Sequence, residues 1–254
     1  MLNTVLTGAP TQHPPLLIVH GLFGSARNWG AISKRMAESR QVITVDMRNH
    51  GHSPRADSQS YPDMAGDIAE VIEAHGGKVD LVGHSMGGKT AMVLTLTRPE
   101  LVHRLLVADI APVTYSHTQR HLIEAMRSID LSTIGTRSDA DRALQSKVTD
   151  RGTRAFLLQS LDVKEKQWRL NLDVLDAEMD KITGWPEIEG QTDTPALFLS
   201  GAESDYVLPE HRDRIKGYFP NARFAKIPGA SHWLHADKPR EFAASLHAWF
   251  DVTG

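Results

Sequence analysis

The chain contains no cysteine, no long hydrophobic run and little excess of either charge. Without cysteine, disulfides, cysteine-zinc sites and a cysteine nucleophile are excluded. No stretch approaches the ~20 apolar residues that cross a bilayer, and the N-terminus lacks the basic and apolar regions of a signal peptide. A net charge of −3 without a run of Lys or Arg argues against a nucleic-acid partner. We therefore expect a cytoplasmic protein with no membrane span.

Short apolar runs alternate with longer amphipathic stretches, which predicts an α/β fold with a mostly parallel central sheet and flanking helices. The runs are continuous, as expected of strands that are covered on both faces. The predicted strands are Leu16–His20, Gln41–Asp46, Val79–Gly83, Arg104–Asp109, Ala196–Ser200 and Ala222–Ile227, with Leu2–Leu6 as an additional edge strand. The predicted helices between them are Trp29–Glu38, Asp63–Ala74, Gly87–Thr97, Glu210–Tyr218 and Pro239–Phe250.

The alternation stops between Pro112 and Glu189. Only helical patterns are evident there, at His121–Ile129, Ser138–Val148, Thr153–Leu161 and Leu175–Lys181, with a short extended link at Arg169–Leu172. About 75 residues without a sheet strand are too many for a single crossover connection. We therefore predict a helical cap insertion at residues 112–189, between two parts of one core at residues 1–111 and 190–254.

Gly83-His84-Ser85-Met86-Gly87 lies between a predicted strand and a predicted helix. In a nucleophile elbow of the form G-x-S-x-G, the serine occupies a sharp turn and its hydroxyl projects above the sheet. Gly83 and Gly87 are small where the strand and the helix must pass closely. The same letters fit an ordinary glycine-rich turn, but the strand-to-helix context favours Ser85 as a nucleophile.

A serine nucleophile needs a base within hydrogen-bonding reach, and thirteen histidines compete for that role. His232 follows the last predicted strand and precedes the last helix, on the same sheet edge as the elbow. It also satisfies the chain order of serine, acid and histidine that this architecture requires. His20 and His84 lie in turns, where structural hydrogen bonding is the expected role. We therefore predict His232 as the base.

Two aspartates are candidates for the acid. Asp109 ends a buried apolar strand, where a carboxylate needs a partner, at the sheet edge where catalytic groups gather. Asp205 stands one residue beyond the usual G-x-x-D position, which Ser204 occupies. Asp109 is favoured and Asp205 remains the alternative. Without a catalytic role, Asp109 would serve as a helix or loop cap, and Asp205 would be an ordinary turn residue.

Acyl transfer also needs donors for the developing oxyanion. The backbone N–H of Met86, directly after the serine, is predicted as one donor. The second should come from the loop after the first long strand, through the N–H of Leu22 or Phe23. The charged turn at Asp46–Ser53 is predicted to be held by an Arg–Asp hydrogen-bond network rather than to act in catalysis.

These motifs together resemble the α/β-hydrolase superfamily over the whole chain, and more narrowly the bacterial YbfF-type esterases and the related mitochondrial abhydrolase-11 proteins. The resemblance is carried by His20–Gly24, Asp46–Gly51, Gly83–Lys89, Asp109–Val113 and Gly229–Ala236. It implies an α/β-hydrolase fold with a helical cap, and ester and acyl-CoA thioester substrates. It also implies Asp109 as the acid with Ser204 as its helper, and Arg120 and Tyr206 as substrate anchors. Asp205 departs from the pattern and leaves the acid open.

The sequence thus predicts a serine carboxylester hydrolase that acts through an acyl-enzyme on a small ester or thioester, with no cofactor or metal. Tyr115, Arg120, Trp185 and Tyr206 are the predicted cap-side lining of its substrate site. One alternative is another reaction of the same fold, such as C–C hydrolysis, lactone opening or perhydrolysis. The other is a non-catalytic module that binds a small ligand.

Overall fold

The structure is a computed structural model that describes residues 1–251, and these residues form a seven-stranded sheet in the order β1-β3-β2-β4-β5-β8-β9. The strands are β1 (Thr4–Thr7), β2 (Leu16–Val19), β3 (Val42–Val45), β4 (Val79–His84), β5 (Val102–Ala108), β8 (Ala196–Gly201) and β9 (Arg223–Ile227). Strand β1 runs antiparallel to β3, and each of the other neighbouring pairs is parallel. The predicted fold class is therefore confirmed.

Helices cover both faces of this sheet. They are α1 (Gly30–Met36), α2 (Tyr61–Ala74), α3 (Met86–Thr97), α4 (Arg120–Arg127), α5 (Arg137–Leu144), α6 (Arg151–Leu157), α7 (Leu172–Ala177), α8 (Met179–Thr183), α9 (Arg212–Tyr218), α10 (Leu234–Asp237) and α11 (Pro239–Phe250). Within residues 1–251, none of these helices combines the length and the apolar character that crossing a bilayer requires.

The strands are buried on both faces because their side chains alternate between two apolar cores. In β2, Leu17 and Val19 belong to the core that contains α2 and α3. Leu16 and Ile18 belong to the core on the other face, which contains α1 and α11. Successive side chains of a strand point to opposite faces, and both faces of this sheet are covered. Every strand position is therefore apolar, which explains the continuous apolar runs in the sequence.

The predicted strands and core helices lie within about two residues of their observed ends, the usual uncertainty of an element boundary. The proposed edge strand at Leu2–Leu6 is displaced to Thr4–Thr7. The last three residues of the predicted core, 252–254, lie outside the described residues.

The segment between β5 and β8, residues 112–189, is hereafter called the inserted segment. It contains α4 to α8, and within the described chain none of its strands joins the main sheet. The sequence predicted helices and an extended link at Arg169–Leu172 but not a hairpin, and β6 (Leu161–Asp162) and β7 (Gln167–Trp168) form an antiparallel one. Two-residue strands are too short to show a period-two pattern. The boundaries of this segment as a separate domain remain a prediction.

A buried ion cluster holds the end of the sheet where the parallel strands begin. The guanidinium of Arg40 donates to Asp80 Oδ2 at 2.5 Å and to the backbone carbonyl of Phe250 at 3.2 Å. Asp80 also accepts from Nδ1 of His103 at 2.8 Å, and Arg40 pairs with Asp251. This cluster joins β4 to the end of α11.

Candidate active site

Ser85 is the single residue between the end of β4 and the start of α3, and its backbone angles are φ 53° and ψ −120°. A positive φ costs a non-glycine residue about 1–3 kcal/mol, and such strain is concentrated at functional sites. The close approach of α3 requires glycine on both sides of the turn. A Cβ on Gly87 would lie 2.4 Å from the carbonyl oxygen of Val19, and one on Gly83 would lie 2.3 Å from that of Gly87.

His232, in the loop between β9 and α10, connects Ser85 to Asp109. Its Nε2 lies 3.1 Å from Ser85 Oγ, and its Nδ1 lies 2.7 Å from Asp109 Oδ2. An ionised carboxylate can only accept, so Nδ1 carries the proton and Nε2 is free to accept from the serine hydroxyl. When a hydroxyl, an imidazole and a carboxylate are arranged in this series, the imidazole can take the proton of the hydroxyl.

Asp109 directly follows β5, with φ 52°, and is fully buried. Its Oδ1 accepts from the backbone N–H of Gly201 at 3.0 Å, and its Oδ2 accepts from Ser204 Oγ at 2.5 Å. Both of these donors are neutral. Asp205 is exposed, and within residues 1–251 it forms no hydrogen bond to His232. The structure therefore brings Asp109 to the histidine and Ser204 to Asp109, and it leaves Asp205 apart.

The position of the His232 ring is held from two further directions. Nε2 of His84 donates to the backbone carbonyl of His232 at 2.9 Å. The ring of Tyr206 stacks on the imidazole with a centroid distance of 3.8 Å and an interplanar angle of 17°. Tyr115 in turn accepts from the N–H of Ala111 and donates to the carbonyl of Tyr206, at 2.9 and 2.7 Å. Two of the predicted lining tyrosines thus support the imidazole.

Two backbone N–H groups near Ser85 are left without acceptors among the described residues, those of Leu22 and Met86. The N–H of Phe23 is engaged, since it donates to Nε2 of His50 at 3.1 Å. Of the two residues that the sequence offered for the second oxyanion donor, the geometry therefore favours Leu22. The sequence carries no local signal for the supporting role of His50.

The buried histidines around this site are kept neutral by burial. Burial lowers the pKa of His50 to about 3 and that of His235 to about 4. It also lowers the pKa of His20 and places that of His84 well below the usual range. Within residues 1–251, no three His, Asp or Glu side chains are grouped so as to hold a metal ion. His20, His50 and His84 act as hydrogen-bonding groups, whereas the ring of His235 stacks on Trp29.

The charged turn after β3 is held mainly by Asp46. This carboxylate accepts from the backbone N–H groups of Ala26 and His52, both at 2.8 Å. The predicted Arg–Asp network is present in a different form, because Arg48 pairs with Asp67 on α2 at 2.6 Å. The turn fixes the loop that contains Leu22.

A cavity of about 1250 Å³ opens above Ser85 and His232 and is lined on one side by the inserted segment. Tyr115 and Tyr206 line it. Among the residues described, Arg120 and Trp185 are not part of the lining. Arg120 pairs with Asp176 and Asp180 at 2.9 and 3.0 Å, and Trp185 donates to the hydroxyl of Tyr218 at 3.2 Å. The structure thus does not bring these two predicted substrate contacts to the site.

The sequence profile of the alpha/beta hydrolase family matches residues 16–245. The chain belongs to the alpha/beta hydrolase family. This alpha/beta hydrolase is 40% identical over 243 residues to esterase YbfF of Escherichia coli strain K12, with 94% of each chain covered. It is 42% identical over 240 residues to the sn-1-specific diacylglycerol lipase ABHD11 of Mus musculus, covering 90% of this chain and 78% of that protein.

A solved structure, that of a marine microorganism esterase, superposes on this alpha/beta hydrolase with a TM-score of 0.92. It is 38% identical, and 98% of both chains is covered. The resemblance to the YbfF-type esterases and abhydrolase-11 proteins is thereby confirmed. The roles of the individual site residues remain predictions, which the geometry above supports to different degrees.

Proposed function

We propose that this alpha/beta hydrolase is a serine carboxylester hydrolase that works through an acyl-enzyme. The observation that carries the proposal is the series formed by Ser85 Oγ, His232 and Asp109, with contacts of 3.1 and 2.7 Å. The names of the relatives, esterase and diacylglycerol lipase, agree with ester chemistry.

In the first half of the reaction, Ser85 Oγ attacks the acyl carbon and His232 Nε2 takes its proton. The buried carboxylate of Asp109 stabilises the imidazolium that forms. The N–H groups of Leu22 and Met86 donate to the oxyanion, whose charge develops only as the carbonyl becomes tetrahedral. His232 then returns the proton to the departing alcohol.

In the second half, water attacks the carbonyl of the acyl-enzyme and His232 accepts one of its protons. The tetrahedral intermediate expels Ser85 Oγ, which regains a proton from the imidazolium. Asp109 stays ionised throughout, because the hydroxyl of Ser204 and the N–H of Gly201 solvate its two oxygens. The carboxylic acid product then leaves the cavity.

Apolar side chains in the wall of the cavity suit an acyl chain. Met86 and Ile110 are among them, and Leu122, Phe156 and Ile182 of the inserted segment face the same space. The same steps would release a thiol in place of an alcohol, so acyl-CoA thioesters belong to the proposal as a second substrate class. The apolar wall binds the acyl part equally in both cases.

Labelling with a fluorophosphonate tests the nucleophile, and a panel of p-nitrophenyl esters and acyl-CoAs tests the reaction. We expect a single label on Ser85 that is absent from Ser85→Ala and present in Ser245→Ala, a matched change on α11, where the hydroxyl bonds to the carbonyl of Glu241 in the same helix. Turnover of the esters should follow the label. Labelling without hydrolysis of any ester or thioester would favour another reaction of the fold. No labelling at all would favour a ligand-binding module.

A further inference from the structure

Lys89 lies on α3, one turn after Ser85, and only 1% of its surface is exposed. Its ammonium donates to three backbone carbonyls, those of Val113 at 2.8 Å, Thr183 at 2.9 Å and Gly184 at 2.5 Å. An ammonium has three protons, so each proton has one acceptor.

The three carbonyls belong to the two ends of the inserted segment. Val113 lies just after β5, where the chain leaves the core, whereas Thr183 ends α8 and Gly184 follows it on the way back. The two connections also contact each other, because the N–H of Tyr115 donates to the carbonyl of Thr183 at 3.0 Å. One side chain of the nucleophile helix therefore holds both connections.

This arrangement is unusual because a buried charge ordinarily has an opposite charge beside it. Among the described residues, the ionisable groups that face the ammonium are the phenols of Tyr61 on α2 and Tyr115, with ring centroids at 5.7 and 4.8 Å. Burial without a carboxylate lowers the pKa of Lys89 to about 7. A methionine would fill the same space without this cost, so packing alone does not explain a lysine here.

The three hydrogen bonds of the Lys89 ammonium, hereafter called the clamp, are connected to the reacting groups through two tyrosines. Tyr115, against which the ammonium of Lys89 lies, donates to the carbonyl of Tyr206 at 2.7 Å. Tyr206 stacks on the ring of His232. Lys89 and both tyrosines also line the cavity above Ser85. A change in the two connections would therefore alter the wall of the cavity that faces the acyl chain.

We propose that Lys89 is a positioning residue that holds both connections of the inserted segment against the nucleophile helix and so sets the fit of the cavity around the acyl chain. The kinetic consequence rests on the proposed ester hydrolysis, whereas the structural clamp does not. Loosening the clamp removes binding contacts, but the distances among Ser85, His232 and Asp109 should stay largely intact, because His232 is also held directly by Asp109 and His84. We therefore expect KM to change more than kcat.

The absence of cysteine permits a test in which only the ammonium differs. In Lys89→Cys, alkylation of the unfolded chain with 2-bromoethylamine builds a thioether analogue of lysine at the one thiol. Alkylation with 1-bromopropane builds a side chain of the same length without the ammonium. Both products are refolded and compared with wild type. Thr95→Val controls for loss of a buried polar group elsewhere on α3, since its hydroxyl bonds only within the helix, to Ala91.

We expect the aminoethyl form and Thr95→Val to match wild type. The propyl form should show a KM for a long-chain p-nitrophenyl ester raised about fivefold or more, with kcat within about twofold. Its Tyr115 amide should exchange hydrogen about tenfold faster. Equal KM and equal exchange in the two alkylated forms would overturn the proposal. If wild type and both alkylated forms all fail to hydrolyse esters but exchange still differs, the proposed function fails and the clamp stands.

Hydrogen exchange on the unmodified protein provides a test that needs no refolding. When Lys89 loses its proton between pH 6 and 9, one of the three carbonyls loses its donor. After correction for the intrinsic pH dependence of exchange, opening at the Tyr115 amide should increase several-fold while the amides of β4 stay constant. Opening at Tyr115 that stays constant across the titration of Lys89, followed in the same samples through its Nζ resonance, would also overturn the proposal.

Discussion

Two buried aspartates at opposite ends of neighbouring strands each accept a hydrogen bond from a histidine Nδ1. Asp80 lies at the start of β4 and contacts His103 at 2.8 Å. Asp109 lies just after β5 and contacts His232 at 2.7 Å. Both carboxylates are fully buried, so burial and the histidine contact do not distinguish them.

Their remaining partners do distinguish them. Asp80 also binds the guanidinium of Arg40, which is itself fully buried, so its charge is already compensated. Asp109 receives its other hydrogen bonds from Ser204 and a backbone N–H, which carry no charge. A proton on His232 is therefore the compensating charge available to Asp109. Because no arginine of the described chain neutralises Asp109, its charge remains available to stabilise a positive charge on His232.

The largest expected effect comes from removing the hydroxyl on the far side of His232. Ser85→Ala should lower kcat for ester hydrolysis by a factor on the order of 10⁶, because the chain has no cysteine that could substitute. The thermal transition should persist, since the change removes one oxygen. Turnover near wild type in a highly purified variant would contradict the assignment.

Asp109→Asn tests the carboxylate that lacks an arginine. It should reduce kcat by roughly 10⁴, because an amide no longer favours the required imidazole tautomer. Asp205→Asn is the matched control and should keep at least about a tenth of wild-type activity. Circular dichroism must first show that both variants are folded, since Asp109 accepts three hydrogen bonds. The reverse ranking would transfer the role to Asp205.

Asp80→Asn should have the opposite effect, a large loss of stability with little change in turnover. Breaking a buried ion pair costs about 3–5 kcal/mol of unfolding free energy, because Arg40 then keeps its charge with only the partly exposed Asp251 as an ionic partner. Turnover per folded molecule should stay within about twofold, since the cluster lies at the other end of the strands. Denaturant unfolding and active-site titration measure the two quantities. A large loss of turnover with unchanged stability would remove the distinction drawn here.

The end of the sheet that holds the candidate site should also respond to acid. His50, in the turn after β3, is buried, and its pKa falls from 6.5 to about 3. Between pH 6.5 and about 3, the imidazole of His50 is protonated in the unfolded chain and neutral in the folded protein. Its contribution to the free energy of unfolding is therefore fully present above pH 6.5 and is lost as the pH falls toward 3. Each such histidine contributes about 1.4 kcal/mol per pH unit. His50→Gln should flatten the stability profile between pH 6 and 4, and exposed His52→Gln should leave it unchanged.

The smallest effect is expected at Arg120, which the family resemblance offers as a substrate anchor. Its guanidinium pairs with Asp176 and Asp180 within the inserted segment, away from the cavity lining. Arg120→Ala should therefore change KM for esters by less than about twofold, because exposed ion pairs contribute little. Steady-state kinetics with a short ester and an acyl-CoA would reveal any direct contact as a large rise in KM.

Local patterns were sufficient to predict the sheet and the chain order of the site. Continuous apolar runs such as Val79–Gly83 report burial on both faces, which depends only on neighbouring residues. The glycines around Ser85 indicate that β4 and α3 pass closely at this turn. The position of His232 after the last strand follows from the parallel topology. These features depend on short stretches of chain, so the sequence alone determined them.

Contacts across the fold were decided only by the tertiary structure. Within residues 1–251, the hydrogen bond that His232 forms with Asp109, and not with Asp205, joins residues 123 positions apart. The ring of His50 accepts from the N–H of Phe23 and leaves that of Leu22 free among the described residues. The clamp at Lys89 joins α3 to residues on both sides of a long insertion. Such contacts are set by how distant elements pack, and no local sequence pattern encodes that packing.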